Sequence, residues 1–429
     1  MRVDALVKRS FLLIGAWDSA VVSLSGFLTN VLTGRFLAMT DYGLFTTAFI
    51  MANMAILIQS SFTSSPYAIL APRVEAAKKR EYLAASVWIT AGSSIATGIL
   101  LGLPMFFFFR KGLAGVHLAL ALSIFAFYAM TVMLQDFARR ACFAHNRESA
   151  ALLLDVVSSG GQVLLLILFR AHLSLNGAIL IVAGTTMLGL AAVYLGAGKG
   201  MSIPLHFRTI RDAARDNFIL GKWLFITSGV SWIANQVYLL AVAAFQTPVV
   251  MAQLSVARTI AAVSNPAVMT VDNMGTPRAS RLAYEKGPRA VRGFIAKIAA
   301  IGSVPFIVLG AVCFIYPAQA VHILFHRSFG DISALVRVFS LMPFMWFAGR
   351  SIIVGINALK KPRVMLPVYA VIACVTLTAG IYLARKYGAM GAAIGLLFNS
   401  ALMVIGFLIQ FLRISGADPD AAGGEFSEA

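Results

Sequence analysis

Among the ionisable side chains inside or at the edge of long apolar runs, the candidates for chemistry are Arg258, Arg350, Lys222 and Asp18. Lys297 also falls in a run, and Asp136, Asp155 and Asp272 lie closer to run ends. A charge at membrane depth costs roughly 2.5–3.5 kcal/mol on insertion scales, so such residues face a cavity or a partner. Arg258 stands nine residues into its run, about 13 Å deep at 1.5 Å per residue. A guanidinium fork matches the oxygens of a phosphate or diphosphate bidentately. Arg258 therefore reads either as a clamp on an anionic cargo or as half of an ion pair inside a helix bundle, with Asp18 as its partner. Arg350, about 10 Å from the end of its run, and Lys222, near the start of its own, either line the same cavity or snorkel to the interface. Asp18, about 12 Å deep, is placed to carry a coupling ion, H+ or Na+, or to neutralise an arginine. Both roles stay open.

Other chemistry is missing from the sequence. No glycine loop followed by Lys-Ser/Thr is present, and neither His-Glu-x-x-His nor Gly-x-Ser-x-Gly occurs. The six histidines are scattered, and Cys142, Cys313 and Cys374 share no metal or disulfide spacing. The expectation is a protein that is not an enzyme, holds no cofactor, and draws any energy from ion or substrate gradients.

The elements that position these charges follow from composition. Of 429 residues, 59% are hydrophobic and 12% charged, about half the charge of a soluble domain. Lysine and arginine number 35 against 17 aspartates and glutamates, a net charge of +18. The pI near 10.2 would suit a nucleic-acid partner, but a mean hydropathy of +0.84 does not. Soluble enzymes, DNA-binding proteins, disordered chains and disulfide-stapled modules are excluded, and an all-α polytopic membrane protein remains.

A crossing helix needs about 20 apolar residues. Twelve runs meet this, near 11–33, 43–70, 83–109, 117–138, 151–169, 177–197, 218–245, 249–276, 293–316, 335–357, 366–384 and 391–413. With the N-terminus inside, 23 of the basic residues fall in cytoplasmic segments and 8 in the opposite loops. This positive-inside pattern puts both termini in the cytoplasm.

The chain also repeats. A shift of 206 brings Gly15-Ala16-Trp17 onto Gly221-Lys222-Trp223, and a shift of 214 brings Asn176-Gly177-Ala178 onto Met390-Gly391-Ala392 and Asp136 onto Arg350. Six spans per half give a parallel repeat about an axis along the membrane normal. The expected organisation is a six-helix lobe at 1–197, an amphipathic cytoplasmic linker at 198–217, a second six-helix lobe at 218–413 and a disordered acidic tail at 414–429. In the linker, Leu205, Phe207 and Ile210 alternate with Arg208, Arg211 and Arg215, which suits an anionic leaflet.

Three stretches resemble a known family. Asp41-Tyr42-Gly43-Leu44-Phe45 is similar to the start of the second helix in bacterial polysaccharide flippases of the multidrug/oligosaccharidyl-lipid/polysaccharide exporter superfamily. Leu254-Ser255-Val256-Ala257-Arg258 looks like that family's Tyr-Ser-x-Ala-x-Arg/Lys stretch, with leucine in place of tyrosine and the arginine one position earlier. Asn357-Ala358-Leu359-Lys360-Lys361-Pro362-Arg363 resembles its junction after the tenth helix. The resemblance implies two six-helix bundles around a basic central cavity. It implies alternating-access translocation of an undecaprenyl-diphosphate-linked glycan (O-antigen, capsule or exopolysaccharide unit) across a bacterial inner membrane. It also implies membrane lipids and other polysaccharide-assembly membrane proteins as partners. Two other readings compete. A drug/cation antiporter of the same superfamily would want acidic cavity residues. A membrane glycan polymerase or ligase would want a large outer loop, and the longest here, about 317–334, is short. Prolines 66, 266 and 343 interrupt spans, and Trp88 and Trp346 are expected in lipid or the interfacial belt.

Overall fold

The structure, a computed structural model, describes residues 21–75, 78–145, 147–196, 207–271 and 275–416. Asp18, the stretch Gly15-Ala16-Trp17, the linker's 198–206 portion and the tail beyond 416 lie outside the described residues. All regular structure among the described residues is helical. Twelve long helices follow in order: α1 (21–36), α2 (Met39–Leu70), α3 (Lys79–Arg110), α4 (Val116–Ala144), α5 (Glu148–Leu168) and α6 (Leu175–Gly196), then α7 (Phe207–Phe245), α8 (248–270), α9 (Thr276–Ile315), α10 (Ser333–Ala358), α11 (362–387) and α12 (389–416). Among the described residues, nine stretches are long and apolar enough to cross a membrane, the last covering α11 and α12 together.

What separates α11 from α12 is Gly388, at φ 58° and ψ −133°, a conformation glycine adopts without the penalty a Cβ would bring. Gly287, at φ 77°, bends α9 in the same way. The expected proline interruptions are visible as changes of winding. Pro66 opens a fresh α-helical segment after a π-turn at Ser60–Ser64, and Pro266 does so after a 3-10 turn at Ala262–Ser264. Pro343 stands at the start of Met342–Ala358. A proline ring excludes the carbonyl four residues back, so the turn before it must rewind.

The halves repeat in structure. α5 carries a π-turn at Val156–Gly160 and α11 one at Thr376–Gly380, each ending in glycine. Thr186 of α6 donates to Gln135 of α4 at 3.5 Å, and Trp346 of α10 donates to Ser400 of α12 at 3.1 Å.

By packing, the chain divides into two compact units. One takes Met1–Trp232, Leu239–Val256 and Phe325–Phe329, and the other takes Ile233–Tyr238, Ala257–Leu324 and Gly330–Ala429. In the first, Gly43 lies so close to α8 that a Cβ there would sit 1.8 Å from the Pro248 carbonyl oxygen. Within that unit, Phe329 is fully buried and its ring centroid lies 6.4 Å from that of Tyr42. The presumed outer loop is thus partly structured, with a helix at Pro317–Phe325 before it. The second unit has a core of Val291, Ile295, Val354, Ile356, Phe407 and Phe411. Large apolar residues on the outer faces, such as Leu103 at 68% exposure, suit lipid rather than water.

Candidate functional site

The second unit holds a cleft built from α7, α8, α10, α11 and α12. Its lining includes Asn235, Arg258, Trp346, Tyr369, Asn399 and Ser400, with Ala234, Ile372, Leu396 and Met403 supplying the apolar remainder. Arg258 reaches it because its helical neighbours Leu254, Ala257 and Ala261 are fully buried and fix the α8 face. The guanidinium is half-buried, and one Nη donates to Gln236 Oε1 at 3.4 Å. That is a long bond, so most of the fork remains available to a ligand.

The rest of the cleft is held by a neutral hydrogen-bond frame. Asn399 donates to the Ala234 carbonyl at 2.9 Å and to Thr376 Oγ1 at 2.7 Å, and its own Oδ1 accepts from Tyr238 at 3.4 Å. Tyr238 fits there because Gly380 and Gly395 face its ring; a Cβ at either would come within 2.6 Å and 2.2 Å of it. Trp346 is oriented by its bond to Ser400, which in turn donates to the Leu396 carbonyl at 2.8 Å. Arg258 is the one charged side chain among the described residues that line the cleft. The room inside is about 50 Å³. One water needs roughly 10–15 Å³ on that measure, so the cleft as it stands admits a group the size of a phosphate and not a sugar chain. Chemically it offers cationic fork, amide, hydroxyl and indole, a set that accepts anions or neutral polar groups.

The other sequence candidates fall elsewhere. Arg350, on α10, is exposed and is not among the cleft-lining residues. Lys222, on α7, is exposed, with its ammonium 5.6 Å from the Trp223 ring centroid. Asp136, which the repeat aligns with Arg350, pairs with Arg140 on its own helix at 3.1 Å. Trp346 departs from the expected interfacial belt, because its indole N–H finds a hydroxyl inside the bundle. Asn235 and Asn399 were passed over in the sequence; an amide in the middle of an apolar run was the available signal for Asn399.

The first unit has its own buried charge. Asp155, 1% exposed, meets Arg139 Nε at 2.7 Å and accepts from Gln135 at 3.3 Å. Gln135 also donates to Ser158 at 2.9 Å. The sequence places Asp155 near a span end; in the structure it is buried, with the π-turn at Val156–Gly160 directly after it.

No family model matches the chain, and no curated protein matches it in sequence. Solved structures do. A multidrug resistance MATE family transporter of the MOP superfamily, in an inward-facing conformation, matches with TM-score 0.72 at 14% identity, over 94% of this chain and 98% of that one. The fold is that of the MATE transporters. The Vibrio cholerae MATE transporter VcmN matches with TM-score 0.62 at 15% identity, over 95% of this chain and 98% of that one. A MOP superfamily transporter from Pyrococcus furiosus, described as having a binding pocket of reverse polarity that suggests a different function, matches with 0.62 at 14% identity, over 95% and 96%. The MATE fold accounts for the twelve helices and the two repeated halves. At such identities it carries the architecture and leaves the cargo to the residues.

Proposed function

We propose that the chain is a transporter of the MOP superfamily whose cargo is a polyprenyl-diphosphate-linked oligosaccharide, moved from the cytoplasmic to the periplasmic leaflet of a bacterial inner membrane by alternating access. The observation that carries this reading is the cleft around Arg258, which has a guanidinium and no carboxylate among the described residues that line it. A site of that polarity attracts the diphosphate of such a cargo and repels an organic cation. Its small volume fits a grip on the diphosphate alone, with the glycan outside. Arg350, Lys222 and Asp18 enter as further cargo contacts and as an ion-coupling or charge partner. The fold alone suits a drug/cation antiporter equally well, and the Pyrococcus furiosus protein supports the view that pocket polarity, not fold, separates the functions.

The test is export of surface glycan in a strain depleted of the protein and complemented with variants. Arg258→Ala is expected to abolish export at unchanged membrane levels, and Arg258→Lys to restore it only in part, because a point charge lacks the fork. Full export by Arg258→Ala, or loss of cationic-dye efflux with glycan display intact, overturns the reading.

A further inference from the structure

Helix α9 carries one exposed stripe along its length after the bend at Gly287. Arg289 and Lys297 occupy one end of it, Arg292 is exposed at its flank, and Ile301, Val304 and Val308 continue it at 62%, 53% and 58% exposure. At about 100° per residue, Arg289, Lys297, Ile301, Val304 and Val308 fall within about 120° of one another, and Arg292 borders that face on the side nearer Ile295. The opposite side is committed to the core, with Val291 and Ile295 packed among Ile352, Phe407 and Phe411. The stripe therefore faces out of the protein, and its apolar stretch belongs to the least buried of the candidate spans, 17% of it covered. Before the bend, Arg278, Arg281 and Lys286 are also exposed, and Tyr284 is 93% exposed. Glu285 is the acidic residue of this segment, and Arg281 holds it at 2.6 Å.

Acyl chains that cover Ile301, Val304 and Val308 carry their headgroups to the level of Lys297 and Arg292. A basic cluster at that level attracts anionic headgroups, and an exposed tyrosine beside it suits the interfacial layer. We propose that this end of α9 is a binding site for anionic phospholipid headgroups, with the acyl chains lying on the apolar continuation of the same stripe. The site is independent of the cargo cleft and of what that cleft carries.

The test uses the full-length protein reconstituted in phosphatidylcholine vesicles with trace spin-labelled phosphatidylglycerol or phosphatidylcholine. Two well-placed charges support a preference for phosphatidylglycerol of roughly tenfold. The Arg292→Gln/Lys297→Gln variant is expected to fall to within twofold, whereas Arg292→Lys keeps the preference because a headgroup at the surface needs charge and not a fork. Arg385→Gln/Lys386→Gln, which removes two exposed charges elsewhere, is expected to change nothing. Wild-type protein in 1 M NaCl gives a reading that needs no variant: the preference collapses as the charges are screened. A wild-type protein without preference, a preference that survives high salt, or a double variant that retains it overturns the proposal.

Discussion

Replacing Asp155 tests how the first unit holds its buried charge. The carboxylate is 2% exposed at its side chain, and Arg139, whose Nε lies at 2.7 Å, is 31% exposed. Removing one partner of a buried pair typically costs about 3–5 kcal/mol, because the remaining charge stays desolvated. Water reaches part of Arg139, so the lower end applies, and Asp155→Leu is expected to cost about 3 kcal/mol, a factor of roughly 150 in the unfolding equilibrium. Replacing both partners removes the stranded charge, and the Arg139→Met/Asp155→Leu variant is expected within about 1 kcal/mol of wild type. The assay is a double-mutant cycle on unfolding in mixed detergent and dodecyl sulfate micelles, followed by tryptophan fluorescence. A double variant more stable than Asp155→Leu by about 2–3 kcal/mol is the expected result. If Asp155→Leu is no less stable than the double variant, the pair is not what holds α4 to α5, and the hydrogen bond from Gln135 to Ser158, which both variants keep, is left to do so.

Gly43→Ala forces a methyl toward a backbone oxygen 1.8 Å from its ideal position, so a loss of about 3 kcal/mol is expected in the same unfolding assay; Gly92→Ala, with nothing within 4 Å, is expected to be neutral or slightly stabilising. His145, just past the end of α4, receives a hydrogen-bond contact of 2.8 Å from Tyr67, and burial, followed by the charges of Arg147 and Lys79, holds its pKa below the usual 6.5. The folded state therefore keeps this ring neutral: its contribution is complete above pH 6.5 and is lost as pH falls through the depressed value. Thermal unfolding at pH 7.5 and pH 5 is expected to show a larger drop for wild type than for His145→Gln, and equal drops would refute the assignment. Asn235→Asp places a carboxylate in the cleft beside Arg258 at nearly constant volume. Export of a diphosphate-linked glycan is expected to fall at least tenfold, equivalent to about 1.4 kcal/mol of lost binding, and unchanged export would show that the cleft does not hold the anion.

Much of the architecture was legible because the membrane imposes it. Backbone groups in lipid must be paired within the segment, so apolar runs of sufficient length have to be helices, and the run near 218–245 indeed lies within α7. Helix ends were less legible. Residues 207–217 join α7 without a break, since an amphipathic stretch and an apolar one can share one helix. The run 391–413 gave no hint that α12 begins one residue after a left-handed glycine. Within the site, Arg258 stood out because a charge in an apolar run has few explanations. Trp346 did not, because whether an indole meets lipid or Ser400 depends on which face α10 turns inward, and that is set by tertiary packing. The burial of Asp155 was not legible, because its partners Arg139 and Gln135 come from another helix, and their approach is set by tertiary packing.

The two halves share a frame and differ in how they satisfy it. In each, a π-turn ending in glycine breaks the regular ladder and leaves polar groups to be paired, at Val156–Gly160 and at Thr376–Gly380. The residue before the first turn is Asp155, and the residue before the second is Val375. The first half meets its polar demand with a charge pair, Arg139 with Asp155. The second meets it with neutral groups, Asn399 bonded to Thr376 and Tyr238. That difference has an electrostatic consequence. The second frame is centred on Asn399, which also lines the cleft, and so adds no charge to it. A neutral amide supports the cleft while leaving the arginine as the one charged side chain among the described residues that line it. Repetition thus supplies two similar frames, and the second, with Val375 where the first has Asp155, carries no carboxylate at that place.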